Sequence, residues 1–116
     1  MRRWWTAFWS TCDGLAWGIR HETAIREEAI AIVLAIPAAF LLTSEGWLRI
    51  ALIGSVALLL ITELLNTSVE KLSDRLTEET DPAIKVVKDL GSAAVFVALL
   101  LAAAVWLMAL WALLLP

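Results

Sequence analysis

The chain has 116 residues, 61% of them hydrophobic, with a formal net charge of −3 and a mean hydropathy of +0.83. Soluble domains are rarely this apolar, and the apolar residues fall in runs too long for so small a core to bury, so the chain reads as one all-α integral membrane domain over residues 1–116. No basic tract is present, which excludes a nucleic-acid surface, and the single Cys12 excludes an intrachain disulfide or a four-cysteine metal framework.

The start, Met1-Arg2-Arg3-Trp4-Trp5, is positive but not followed by an uninterrupted apolar segment, so an interfacial anchor is expected there and not a cleaved signal. From Trp4 to Ile19 the apolar residues recur at threes and fours, and Trp4, Trp5 and Trp9 suit headgroup depth. The pattern predicts an amphipathic surface helix over 4–19, with a break around Gly14 and Gly18. A charged turn, Arg20 to Glu28, then enters the apolar run Ala29 to Leu42, and Glu22 and Arg26 stand at pairing distance if helical. That run has 14 residues, fewer than the roughly 20 a bilayer core requires. The first span, about 24–43, must therefore borrow polar turns, and Pro37 is expected to kink it.

Thr43 to Gly46 predicts a turn and Trp47 to about Asn66 a second span, with Arg49 free to snorkel. The same helix continues as a polar extension to about residue 76. Thr77 to Pro82 predicts a loop, and about 89–115 a third span, in which Ala94, Ala98 and Ala102 form a small-residue packing stripe. Trp47, Trp106 and Trp111 mark one interface. Of the basic residues only Arg49 falls on that side, so the N-terminus is expected in the cytoplasm.

The chemistry concentrates where the second span becomes polar. At about 100° per residue, Glu63, Asn66, Glu70 and Asp74 fall near 0°, 300°, 340° and 20°, one stripe crossing the membrane surface. A carboxylate at that depth must be paired, hydrated, protonated or metal-bound. Glu22 and Glu70 are the expected ligands of a hard cation such as Mg²⁺. Lys88 suits the spreading of charge from a transferring phosphoryl group, and Glu63, deeper and partly desolvated, suits a general base toward a hydroxyl at headgroup depth. No Gly-x-x-x-x-Gly-Lys-Ser/Thr loop is present, so side chains and helix ends would have to hold any nucleotide. Poor shielding of Glu63 by three short-looped helices predicts a homo-oligomer.

These residues carry a resemblance. Glu22-Thr23-Ala24-Ile25-Arg26-Glu27-Glu28, Glu63-Leu64-Leu65-Asn66-Thr67-Ser68-Val69-Glu70 with Asp74, and Lys88-Asp89-Leu90-Gly91-Ser92-Ala93-Ala94-Val95 are similar to motifs of the prokaryotic diacylglycerol kinases, small integral-membrane lipid kinases, from about Gly14 to Trp111. Ser68 and Val69 stand where that family usually has alanine and isoleucine. The resemblance implies a homotrimer of three-span subunits in a bacterial inner membrane, transferring the γ-phosphate of MgATP to diacylglycerol to make phosphatidic acid. It implies Glu63 as base, Glu22 and Glu70 as metal ligands, and Asn66, Asp74, Lys88 and Asp89 toward the nucleotide, with Arg3 and Glu79 approaching it. Glu28 and Ser92 would lie toward the lipid. Undecaprenol kinases of the same family are the near alternative, and Gly91-Ser92-Ala93-Ala94 looks more like the diacylglycerol branch. A small proton-coupled transporter using Glu63 is the alternative from another class, and the position of Glu63 near one end of its span argues against it.

Overall fold

The computed structural model describes residues 2–77 and 79–115, and every regular element among them is a helix: α1 (Arg2–His21), α2 (Thr23–Leu42), α3 (Gly46–Leu76) and α4 (Pro82–Leu114). Two of these, α3 and α4, are long and apolar enough to cross a membrane. At about 1.5 Å per residue, the 31 residues of α3 extend roughly 46 Å. The hydrocarbon core is only about 30 Å thick. One end of α3 must therefore emerge, and the polar end is the one beyond Asn66.

The sequence pattern predicts a break at Gly14 and Gly18, but α1 runs through both and stops at His21. The break is one residue long: Glu22 is extended, at φ −120° and ψ 116°. Gly18 instead permits a close approach. It is buried against Ile25, itself 2% exposed, and a Cβ there would come within 3.0 Å of the Ile25 side chain.

The α2–α3 turn is stapled by Arg49. Its Nε donates to the Thr43 carbonyl at 2.8 Å and its guanidinium lies 4.1 Å over the Phe40 ring, so it folds back onto the turn. The loop between α3 and α4 ends in a strong start signal. Asp81 accepts from the backbone N–H groups of Ala83 and Ile84, and Pro82 takes the first helical position, where its missing N–H costs no bond. Glu78 of this loop lies outside the described residues.

Small residues bring the helices together. Ala39, Leu52 and Ala109 form a buried cluster, with Val105 and Trp106 packed against it. Ala98 and Ala102 are also buried, whereas Ala94 of the expected stripe is exposed. Trp106 also joins α4 to α3, its indole N–H donating to the Leu52 carbonyl at 3.0 Å. At Gly91, α4 approaches α3 so closely that a Cβ would overlap the Asn66 Oδ1. The outward faces remain apolar, with Leu41 88% and Trp47 79% exposed, a surface suited to lipid or to other copies of the chain.

These contacts separate two glycines of the same type. A methyl group added at Gly14 would meet nothing within 4 Å, so Gly14→Ala is expected to stabilise the chain by about 0.5–1 kcal/mol through helix propensity. Gly91→Ala is expected to gain less than Gly14→Ala or to lose stability, because the added methyl forces the Asn66 amide out of its place. Thermal unfolding of the two variants in the same detergent measures both.

Candidate functional site

The polar residues expected to act together gather at one end of the helix bundle, where the α1–α2 junction meets the emerging half of α3 and the start of α4. Glu22, being extended, has no side-chain bond to its own helix. Its carboxylate lies 2.9 Å from the Lys71 ammonium of α3. The expected pair with Arg26 does not form, because Glu22 precedes α2 and so does not share a helical face with Arg26. The Arg26 guanidinium turns back to the end of α1, donating to the carbonyls of Ile19 at 2.9 Å and Arg20 at 3.1 Å. Those carbonyls carry the negative end of the helix dipole, which a cation satisfies.

Lys71 was not singled out by the sequence. It lies about 80° around α3 from Glu63, off the acidic stripe. The available signal was its sign, a cation directly after Glu70 and among three carboxylates of its own helix. Its ammonium also faces the Trp17 ring, 5.5 Å from the centroid. The hydrogen bond to Glu22 and then that carboxylate's charge raise the Lys71 proton affinity above its usual value, with smaller contributions from Asp74 and Glu70.

Glu63 is half-buried, and Glu70 and Glu22 stand close enough for their charges to act on it. Glu28 adjoins Glu63 from α2. Its Oε2 is buried without a hydrogen-bond partner, as is the Oδ1 of Asn66. The Asn66 amide nitrogen donates to Glu70 at 3.3 Å. Glu63, Asn66 and Glu70 thus share one face, as the helical period requires, with Glu22 and Glu28 brought to it by α2 and its junction.

Asp74 is farther toward the loop and pairs with Lys88 of α4 at 2.6 Å. One helical turn earlier, Lys85 pairs with Asp89 at 2.6 Å. These four side chains line a cleft of about 580 Å³, which Glu79 also lines. Ser92 is exposed on the Lys88 side of α4, one turn deeper. Arg3 does not join the cleft within this chain. Its guanidinium lies 5.9 Å over Trp4, in the first turn of α1, about 27 Å along the helix from His21.

The donor set fits a hard divalent cation. Among the described residues no three carboxylate, histidine or cysteine groups converge on one point, so an ion held here would take one or two carboxylates and keep water or phosphate in its remaining positions, as Mg²⁺ commonly does. The orphaned carboxylate oxygen of Glu28 shows that oxygen donors are in surplus here. The cleft is acid-rich as well: Asp74, Glu79, Asp81 and Asp89 outnumber Lys85 and Lys88, a lining that repels a bare polyanion.

The sequence profile of the prokaryotic diacylglycerol kinase family matches residues 10–110. This chain belongs to that family. It is 38% identical over 103 residues to a diacylglycerol kinase of Escherichia coli K12, covering 84% of each chain. A diacylglycerol kinase of Pseudomonas aeruginosa is 41% identical over 93 residues, 80% of this chain and 76% of the relative. One of Haemophilus influenzae is 39% identical over 94 residues, 81% and 80% respectively. The matched region of the family profile contains the whole polar end, from the α1–α2 junction to the start of α4.

The junction geometry depends on Arg26. Arg26→Gln is expected to speed amide exchange in the last turn of α1, residues 18–21, by about tenfold or more, the loss of a charge-assisted bond to carbonyl groups. Arg75→Gln, a charge removal one turn beyond the junction contacts, is expected to leave it unchanged. Hydrogen–deuterium exchange read by mass spectrometry decides.

Proposed function

We propose that this chain is an ATP-dependent diacylglycerol kinase, transferring the γ-phosphate of ATP to the free hydroxyl of diacylglycerol and releasing phosphatidic acid. The observation that carries the reading is the division of one helix face by depth. Glu63 sits at the apolar end of the stripe beside Glu28, while Glu70 lies about 10 Å farther along α3, toward the cleft. A hydroxyl that reaches Glu63 from the hydrocarbon side belongs to a lipid.

In this reading the Glu63 carboxylate orients the lipid hydroxyl and accepts its proton as the oxygen attacks the γ-phosphorus. The bond from that phosphorus to the β–γ bridging oxygen breaks, and ADP leaves with the electron pair. Lys88 releases Asp74 and turns to the phosphate oxygens, and Lys85 with Asp89 lines the nucleotide cleft, which Arg3 approaches only from elsewhere in the assembly. Asn66 holds Glu70 in register. Glu22 and Glu70 would hold Mg²⁺, which supplies neutralisation of the phosphate charge during transfer. Glu28 and Ser92 line the lipid side.

The proposed setting is the cytoplasmic face of a bacterial inner membrane, with α1 on the surface and α2, α3 and α4 crossing. The 20 residues of α2 extend about 30 Å, one hydrocarbon thickness, so its first two turns, with Arg26 to Glu28, would lie at the cytoplasmic edge of the hydrocarbon. Apolar grooves along α2–α4, beside Leu34, Ala38 and Leu99, and along α3–α4, beside Leu58 and Val97, support three copies packing together.

The test is transfer of labelled phosphate from ATP in mixed micelles with Mg²⁺, comparing diacylglycerol with undecaprenol. Diacylglycerol is expected to be the preferred acceptor, and Glu63→Gln to lower turnover by about 10²-fold or more with unchanged unfolding. A strong undecaprenol preference would move the chain to the other branch of the family. Full activity in Glu63→Gln would remove the proposed base.

A further inference from the structure

We propose that Lys71 is a positioning residue that occupies the place of the divalent cation at Glu22 and yields it when the cation binds. This rests on the reading of Glu22 and Glu70 as cation ligands. Three observations lead to it. Glu22 is the one extended residue between two helices and makes no side-chain capping bond, so nothing in α1 or α2 orients its carboxylate. Among the described residues Lys71 is the only cation within 4.0 Å of it. Arg26, the other nearby cation, is committed to the carbonyls of Ile19 and Arg20.

The Lys71 ammonium has a second resting place. It lies between the Glu22 carboxylate at 2.9 Å and the Trp17 ring at 5.5 Å, and its side chain is 57% exposed. An exposed ion pair and an exposed cation–π contact are each weak, so a divalent ion that also gains Glu70 displaces the ammonium, and the Trp17 face retains it. In the empty protein the ammonium offsets part of the charge that Glu22, Glu28, Glu63 and Glu70 gather. Lys71 thus competes with the metal for the same oxygen.

The competition has a sign that a purely structural role lacks. In the full chain in detergent micelles, Lys71→Met is expected to bind Mn²⁺ about threefold to fivefold more tightly than the unmodified chain, read as free Mn²⁺ by electron paramagnetic resonance. Lys71→Arg is expected to keep the original affinity. Arg75→Met, which removes the same charge one turn away, is expected to change it less than Lys71→Met. Equal or weaker binding in Lys71→Met, including no detectable binding by either protein, overturns the proposal. Glu22→Gln separates the exchange from the ligation. If it weakens Mn²⁺ binding while Lys71→Met has no effect, only the exchange fails. If it leaves binding intact, the assignment of Glu22 as a ligand fails with it.

Discussion

A carboxylate at the edge of hydrocarbon must be hydrated, paired or bound to a cation, and this chain assembles four of them at one end of its helices. Glu63 and Glu70 come from the emerging part of α3, Glu28 from α2, and Glu22 from the single extended residue before it. The rest of the polar end follows from that crowding. Lys71 answers Glu22, Asn66 answers Glu70, and Arg26 is kept out of the cluster by its bonds to the end of α1. The surplus of oxygen that remains is what a divalent cation and a phosphate chain would complete.

Helix packing sets how near these groups come. Gly18 lets α1 press on Ile25, which carries the junction and Glu22 toward α3. Gly91 lets α4 cross α3 at Asn66, which brings Lys88 within reach of Asp74. Both glycines lie inside helices, so they act through the absence of a side chain and not through an unusual backbone angle. The Asp81 cap and Pro82 then fix where α4 begins, and with it the register of Lys85, Lys88 and Asp89 along the cleft.

The stripe on α3 was legible because a helix repeats its face every three to four residues, and nothing in the fold disturbs that period between Gly46 and Leu76. The loop at Thr77 to Pro82 was legible from proline stereochemistry. The α1–α2 break was not, since glycine is a weak breaker when a neighbour needs the space, and Gly18 meets Ile25 across the junction. The partner of Glu22 was hidden for a related reason. Pairing rules along a helix assume that both residues are helical, and an extended Glu22 turns its carboxylate to another helix altogether. Residues joined only by tertiary contact, such as Lys88 with Asp74 or Trp106 with the Leu52 carbonyl, have no local pattern to announce them.

We place the membrane surface between the two ends of the α3 stripe, and the division of labour along it depends on that placement. Leu65 and Leu72 lie on one face of α3, seven residues apart, and are 63% and 64% exposed, so they differ in surroundings and not in burial within the chain. A nitroxide attached at each position in turn, with Cys12 replaced by serine and the protein in lipid bilayers, reports depth through its relaxation by oxygen and by a water-soluble nickel chelate. Oxygen is expected to dominate at residue 65 and the chelate at residue 72. The same balance at both positions would put the whole stripe in one medium and contradict the division by depth.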